Sequence, residues 1–371
     1  MRVKGSCGKK TSAAAVILTV LLLTCLVASV AGCGGSSATT ASGTTAGSSG
    51  STAGSTSATS GTTAGTDKQV TLSMVSFVAK SDMLAQTLPD WIEAVETATN
   101  GTVKIDYKGG PEVIPALEQI EAVRSGVVDI IASVSAYYQE LNPGVTPMYL
   151  SPYTPTEERE NGVFDYFKRE HEAIQTVYVG RWMAELPYYM FINKEISTPA
   201  ELKGMSIRTR AAYDRFLKAL GVSAVSVDTA ETYTALERGV VQGFCYTIVG
   251  VTDYNWYAKA PFCIDHPFWP ANNATILFNP ETWSKLSANQ QDAIMKATAA
   301  YEKDKMAPYF VDTQAKLRTE LQSKGVKFIT FSPADAEAFL TLGDKVEWDN
   351  FKAKAPDKYA ELRKLYGLTA D

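Results

Sequence analysis

Between residues 70 and 134 the apolar positions change period repeatedly. VTLSMVSF, Val70 to Phe77, is an apolar, β-rich run that predicts a first strand. In SDMLAQTLPDWIEAVETATNG, Leu84, Leu88, Trp91, Ile92 and Val95 recur at helical spacing, and Gly101 stops the pattern. TVKIDYKGG alternates Val103, Ile105 and Tyr107, a second strand ending in a Gly-Gly turn. PALEQIEAVRSG predicts a short helix and VVDIIASV a buried strand. Strand and helix alternate, which argues for an α/β fold on a largely parallel sheet.

One phrase occurs twice. LEQIEAVRSGVVDI (117–130) and AETYTALERGVVQGF (230–244) each read as a helix, a basic residue, Gly-Val-Val and a polar residue entering a strand. Two copies suggest two similarly built lobes, with each glycine capping its helix in the left-handed conformation. The segment from Leu286 to Gly325 predicts a very long helix, long enough to lie across both lobes. It opens on a Ser287/Gln290 capping box, and Pro308 should kink or divide it. A further amphipathic helix is predicted in FSPADAEAFLTLGDKVEWDNFKAK.

The beginning of the chain has a different character. Arg2, Lys4, Lys9 and Lys10 precede an uninterrupted apolar and small-residue run, Ala13 to Ala31, which ends in Val30-Ala31-Gly32-Cys33. That is the pattern of an export signal, and the cysteine makes the cut resemble a bacterial lipobox with Cys33 acylated. An uncleaved membrane anchor is the other reading, since the run is just long enough to span a bilayer. Both place the remainder outside the cytoplasm. Gly34 to Thr66 contains only Gly, Ser, Ala and Thr, has nothing to bury, and as a coil would span about 30 Å. The expected organisation is a signal over 1–32, a lipidated cysteine and linker over 33–68, and a folded body over 69–371. Within that body, lobe I takes about 69–186 plus 272–312, and lobe II about 187–271 plus 313–371.

Charge narrows the partners. Loss of the four basic signal residues takes the net charge from −5 to about −9, which disfavours nucleic acid. Cys245 and Cys263 leave two readings open, a disulfide in an oxidising compartment or two buried thiols. His171 and His266 are the only histidines. No metal-ligand spacing, P-loop, dinucleotide fingerprint or nucleophile elbow is present, so no cofactor, metal or catalytic group is expected. His266 reads as structural, and the acidic EERE at 157–160 as a solvated helix face. In GMSIRTR, Arg208 and Arg210 fall on one face of a strand in an apolar neighbourhood, which leaves two readings open, a solvated edge or something negative that comes to meet them.

The motifs TNGTVKIDYKGG, IEAVRSGVVDI, FINKEISTPAELKGMSIRTR, AETYTALERGVVQG and FNPETWSKLSANQQDAI together resemble the solute-binding proteins of tripartite ATP-independent periplasmic (TRAP) transporters, of the DctP type. The resemblance covers nearly all of 70–360. It implies a two-lobed periplasmic-binding-protein clamshell, each lobe a β-sheet flanked by helices, with a long helix spanning both. It also implies that Arg208 pairs with a ligand carboxylate, and that small and large membrane permease subunits are the partners. A same-fold receptor feeding a sensor kinase is the alternative.

Departures from the family pattern bear on the ligand. Tyr188 stands where many relatives have a second arginine. Arg210 stands where proline is common, Gln242 replaces an aspartate, and Tyr246 replaces an asparagine. With Phe77, Tyr137 and Tyr138 at strand ends, the cleft is expected to be rich in rings. Trp256 and Trp269 are placed on its hinge side, with core packing the better reading for Trp269. The expected ligand is a monocarboxylate with an apolar or aromatic body.

Overall fold

The structure is a computed structural model that describes residues 67–209 and 213–369. The export signal, Cys33, nearly all of the linker, and Arg210 lie outside the described residues.

Among those residues the strands are β1 (Val70–Ser76), β2 (Val103–Gly109), β3 (Ile130–Val134), β4 (Val177–Trp182), β5 (Tyr188–Ile192), β6 (Ser206–Thr209), β7 (Ser223–Ser226), β8 (Gly243–Thr247), β9 (Phe262–Trp269), β10 (Ala274–Phe278) and β11 (Lys327–Ile329). They form two sheets, in the orders β2-β1-β3-β10-β4 and β11-β9-β5-β8-β6-β7. Both are mixed rather than largely parallel: β10 runs antiparallel to β3 and β4, and β5 antiparallel to β8 and β9. The reason lies in the connections. β5 and β10 each arrive directly from a strand of the other sheet, across residues 183–187 and 270–273, without the returning helix that a parallel neighbour needs.

The repeated phrase folds alike in both places. Helices Gln119–Arg124 and Thr232–Glu237 are followed by Gly126 (φ +75°) and Gly239 (φ +70°), each in the left-handed region. The strands that follow, β3 and β8, each lie between one parallel and one antiparallel neighbour. Gly243 opens β8 because a methyl group there would sit 2.3 Å from the Phe191 carbonyl oxygen. Gly243→Ala is expected to cost about 1–3 kcal/mol in urea unfolding, because that neighbour is backbone and cannot swing aside.

The long helix is divided. Ala288–Tyr301 begins on the Ser287/Gln290 capping box, a π-helical turn covers Glu302–Met306, and Ala307–Ser323 completes it. Pro308 falls in the first turn of the last part, where its missing N–H costs little. The first part is bonded to the helix Leu88–Ala98, with Trp91 Nε1 donating to Thr298 Oγ1 at 3.0 Å. The last part reaches the second sheet, where Arg318 pairs with Asp265 of β9. The helix therefore spans both lobes.

The π turn brings Glu302 against β4. Its carboxylate accepts from the Arg181 backbone N–H at 2.6 Å and from Arg159 Nε at 2.7 Å. Arg181 in turn holds Glu158 at 2.6 Å, both side chains 1% exposed. The EERE segment is thus not simply a solvated face. Glu157 closes the capping box of helix Pro155–Glu160, while Glu158 and Arg159 turn inward to these partners. Both histidines are structural. Buried His171 bonds Phe167 O and the Tyr138 hydroxyl, and burial lowers its pKa to about 4. His266 Nε2 accepts the Phe331 N–H at 2.9 Å. Cys245 and Cys263 are buried free thiols.

The two strand-to-strand connections bond to each other, Asn272 N–H donating to Ala184 O at 3.1 Å. In the first of them, neither carboxylate oxygen of Glu185 has a hydrogen-bond partner from another residue. Burial, opposed by its own backbone N–H and by Arg181 and reinforced by Glu302 and Glu158, raises its pKa to about 7. A raised carboxyl pKa means that the folded state holds its proton more tightly than the unfolded chain. Its stabilising contribution is therefore complete below its ordinary value of 4.5 and is lost as pH rises through 7. Glu185→Gln should match wild type near pH 4 and exceed it by about 3 kcal/mol at pH 8, read by urea unfolding at both values.

Candidate functional site

A cavity of about 110 Å³ lies between the two sheets. Phe77 and Tyr137 reach it from just past β1 and β3. Tyr188, Arg208 and Tyr246 reach it from β5, β6 and β8, and Asn272 and Asn273 from the second connection. Phe77, Tyr137, Arg208 and Tyr246 sit at or just past the carboxyl ends of their strands, where open α/β sheets hold ligands. A larger, open depression of about 610 Å³ lies beside Ile92 and Thr97, but its Lys104 and Glu96 neutralise each other at 2.7 Å.

Among the described residues, Arg208 is the one charged side chain in the cavity lining. It is 1% exposed, held between β7 and β8 through pairing with Val225 and Phe244. Its Nε donates to Val227 O at 3.0 Å, Nη1 to the Tyr213 hydroxyl at 3.1 Å and Nη2 to Thr229 Oγ1 at 3.2 Å. The Tyr213 hydroxyl donates onward to Cys245 O at 3.1 Å, and burial pushes its pKa up, so it stays protonated. The Trp256 ring lies 5.5 Å from the guanidinium carbon. Among the described residues no carboxylate pairs with Arg208. A guanidinium carries five N–H groups, and these bonds use three. One remains on each terminal nitrogen, the fork that matches the two oxygens of a carboxylate.

The rings form the rest of the wall. Phe77 meets Tyr137 edge-on at 5.9 Å, and Tyr188 meets Trp269 edge-on at 5.5 Å. Tyr246 packs edge-on against Trp256 at 5.2 Å. Tyr254 stacks on that tryptophan at 4.8 Å, and its hydroxyl donates to Asp82 at 2.7 Å. Asp82 caps the turn Met83–Thr87 on the side of the first sheet, so this bond joins the two sides of the cavity.

The structure brings Phe77, Tyr137, Tyr188, Arg208 and Tyr246 together, and it corrects two other expected positions. Tyr138 points away, because the short turn Ser135–Tyr137 sends its hydroxyl into the core between His171 and Thr275. Gln242 also lies elsewhere, its Oε1 accepting the Ser206 N–H at 3.1 Å and fixing the start of β6. Arg210 is outside the described residues. Trp269 packs on Tyr149 at 4.1 Å and lines the cavity as well, whereas Trp256 sits behind Arg208. Tyr213, Asn272 and Asn273 went unread; the only signal for the pair was two amides between two apolar strands. Among the described residues no cluster of three or more His, Cys, Asp or Glu is arranged to hold a metal ion. No described helix is long and apolar enough to cross a membrane.

Two sheets closing on a cavity with a buried cation that no carboxylate among the described residues meets define a two-lobed solute receptor. The sequence pattern of the bacterial extracellular solute-binding proteins, family 7 (DctP), matches residues 74–354, and the chain belongs to that family. The family comprises receptors, not enzymes. A monocarboxylate 2-oxoacid-binding periplasmic protein of Nostoc sp. is 24% identical over 283 residues, covering 73% of this chain and 75% of the relative. A TRAP periplasmic solute-binding protein of Desulfovibrio salexigens with bound orotic acid superposes with a TM-score of 0.70 at 22% identity, covering 80% of this chain and 97% of that one. A Bordetella pertussis extracytoplasmic solute receptor that binds pyroglutamic acid gives 0.70 at 18% identity, covering 80% and 99%.

Proposed function

We propose that the protein captures a compact monocarboxylate outside the cytoplasm and delivers it to the small and large membrane subunits of a TRAP transporter, tethered to the membrane through acylated Cys33. The observation that carries the ligand class is Arg208, a buried guanidinium with two N–H groups left over and, among the described residues, no carboxylate to meet them. A second ligand carboxylate would meet only uncharged walls among the described residues and would be costly to bury. The rings of Phe77, Tyr137, Tyr188 and Tyr246 suit an apolar or aromatic body. The orotic and pyroglutamic acids bound by the related receptors agree with this reading. Closure around the acid removes water from the ion pair and changes the surface offered to the permease, so differential affinity for the closed form drives the motion.

A thermal-shift series on the protein tests the ligand class. Small monocarboxylates at 100 times their dissociation constants should stabilise by ~2.7 kcal/mol, and the matching carboxamides should not. Equal stabilisation by acids and amides would remove the carboxylate from the account. Transport by cells lacking the chain, with and without its restoration, tests the delivery step.

A further inference from the structure

Two adjacent pairs of residues meet from opposite lobes. Asp82 and Met83 follow β1 on the side of the first sheet, and Asp253 and Tyr254 follow β8 on the side of the second. The pairs exchange hydrogen bonds. The Tyr254 hydroxyl donates to Asp82 Oδ2 at 2.7 Å, and the Met83 N–H donates to the Asp253 carboxylate. Each side thus gives one donor and one acceptor. Tyr254 alone of the four lines the cavity.

Both sides are shaped for the exchange. Asp82 divides its carboxylate, Oδ1 accepting the Leu84 N–H at 2.9 Å to cap the turn Met83–Thr87 and Oδ2 remaining for the tyrosine. Gly250 (φ +96°) and Asn255 (φ +54°) take left-handed conformations on either side of Asp253 and Tyr254, which bends the chain toward Asp82. Met83 O accepts from Tyr309 at 3.4 Å, so the same residue is also tied to the helix that spans both lobes. Burial and the facing Asp82 raise the Asp253 carboxyl above its ordinary value, and the Met83 N–H opposes the rise. Two carboxylates brought together from opposite lobes repel. The two donors offset that repulsion, each meeting the carboxylate of the other lobe.

We propose that this exchange is a clasp that holds the lobes together without help from a solute, so that the unliganded receptor is already partly closed and the clasp scales the affinity for every acid alike. The reason is that a solute held by the closed form binds in proportion to how populated that form is beforehand.

The test is the distance between the lobes in unliganded protein, read by double electron–electron resonance. Val127 and Val240 are 72% and 53% exposed, lie just before β3 and β8 on opposite lobes, and accept nitroxides as Val127→Cys and Val240→Cys in a Cys33→Ser background. Cys245 and Cys263 are buried and stay unlabelled. Tyr254→Phe removes the donor and keeps the ring. Asp82→Ser keeps a capping oxygen and cannot reach the tyrosine. Each should lower the ratio of the short to the long distance component by about 5- to 20-fold, the range for a partly exposed hydrogen bond to a charged group. The double variant should go little further than either alone. Calorimetry with orotate, pyroglutamate and pyruvate should show each acid that binds wild type weakened by that same factor.

A distance distribution shared by wild type and both single variants overturns the clasp, and a loss of stability in urea without a shift in distance makes the bond a plain fold contact. Acids weakened unequally by Tyr254→Phe and unchanged by Asp82→Ser overturn it as well, by making Tyr254 a ligand contact. Binding of none of the three acids counts against the carboxylate reading instead, since the distance measurement uses no solute.

Discussion

Arg208→Met should remove acid binding while leaving the unliganded protein within about 1 kcal/mol of wild type. The binding loss follows from truncating one side of a buried, hydrogen-bonded charge pair, which costs ~2–5 kcal/mol, roughly 30-fold to several thousand-fold in affinity. The stability result follows from the absence of a counter-ion. The guanidinium is buried with three neutral acceptors and, among the described residues, no carboxylate. An uncompensated buried charge is expensive, so replacing it with an apolar side chain of similar length relieves desolvation while forfeiting those bonds. Titration calorimetry and urea unfolding on the same preparations read the two quantities. Retained binding, or a collapse of stability by several kcal/mol, would make Arg208 a structural residue.

Arg181 makes the opposite case with the same residue type and the same burial. Its guanidinium pairs with Glu158 at 2.6 Å, both 1% exposed, and it also donates to Asn272 O and Met148 O. Glu158→Ala should cost about 3–5 kcal/mol, because it strands a cation that the surrounding core was built to hold as a pair. Urea unfolding followed by circular dichroism reads the loss. The double variant Glu158→Ala/Arg181→Met should recover most of it. If the single variant unfolds like wild type, the pair is not a structural ion pair and the contrast with Arg208 fails. The two arginines separate structural charge from functional charge by one criterion, whether the chain supplies the partner.

Much of this site was legible because charge and aromatic rings stand out against an apolar strand. GMSIRTR exposed Arg208 in that way and strand-end rings exposed Phe77 and Tyr137, while Tyr188 and Tyr246 came from the resemblance to the family pattern. The same rule misplaced Tyr138, since one further residue in a tight turn reverses the direction of a side chain. Gln242 was misread because a glutamine before a strand looks the same whether it faces a ligand or ties two strand ends together. Asn272 and Asn273 escaped notice because asparagines between strands look like turn chemistry; only their burial and their place in the cavity lining set them apart. The repeated helix-Gly-Val-Val phrase gave the position of β3 and β8 but not the direction of β5 and β10. Direction depends on where the chain has come from, which no local pattern records.

The connections at 183–187 and 270–273 fix more than topology. Two bodies joined by short straps and one long helix turn about the line of those straps, and points on a pivot line hardly travel. Asn272 lies on that line, bonded through its own backbone to the facing strap. Phe77 and Arg208 stand on opposite sheets, away from it. Any opening of the lobes therefore separates the ring from the guanidinium while leaving the asparagine almost where it was. A solute entering the cleft meets stationary amides and mobile walls, so one part of the binding surface keeps its shape through the whole swing.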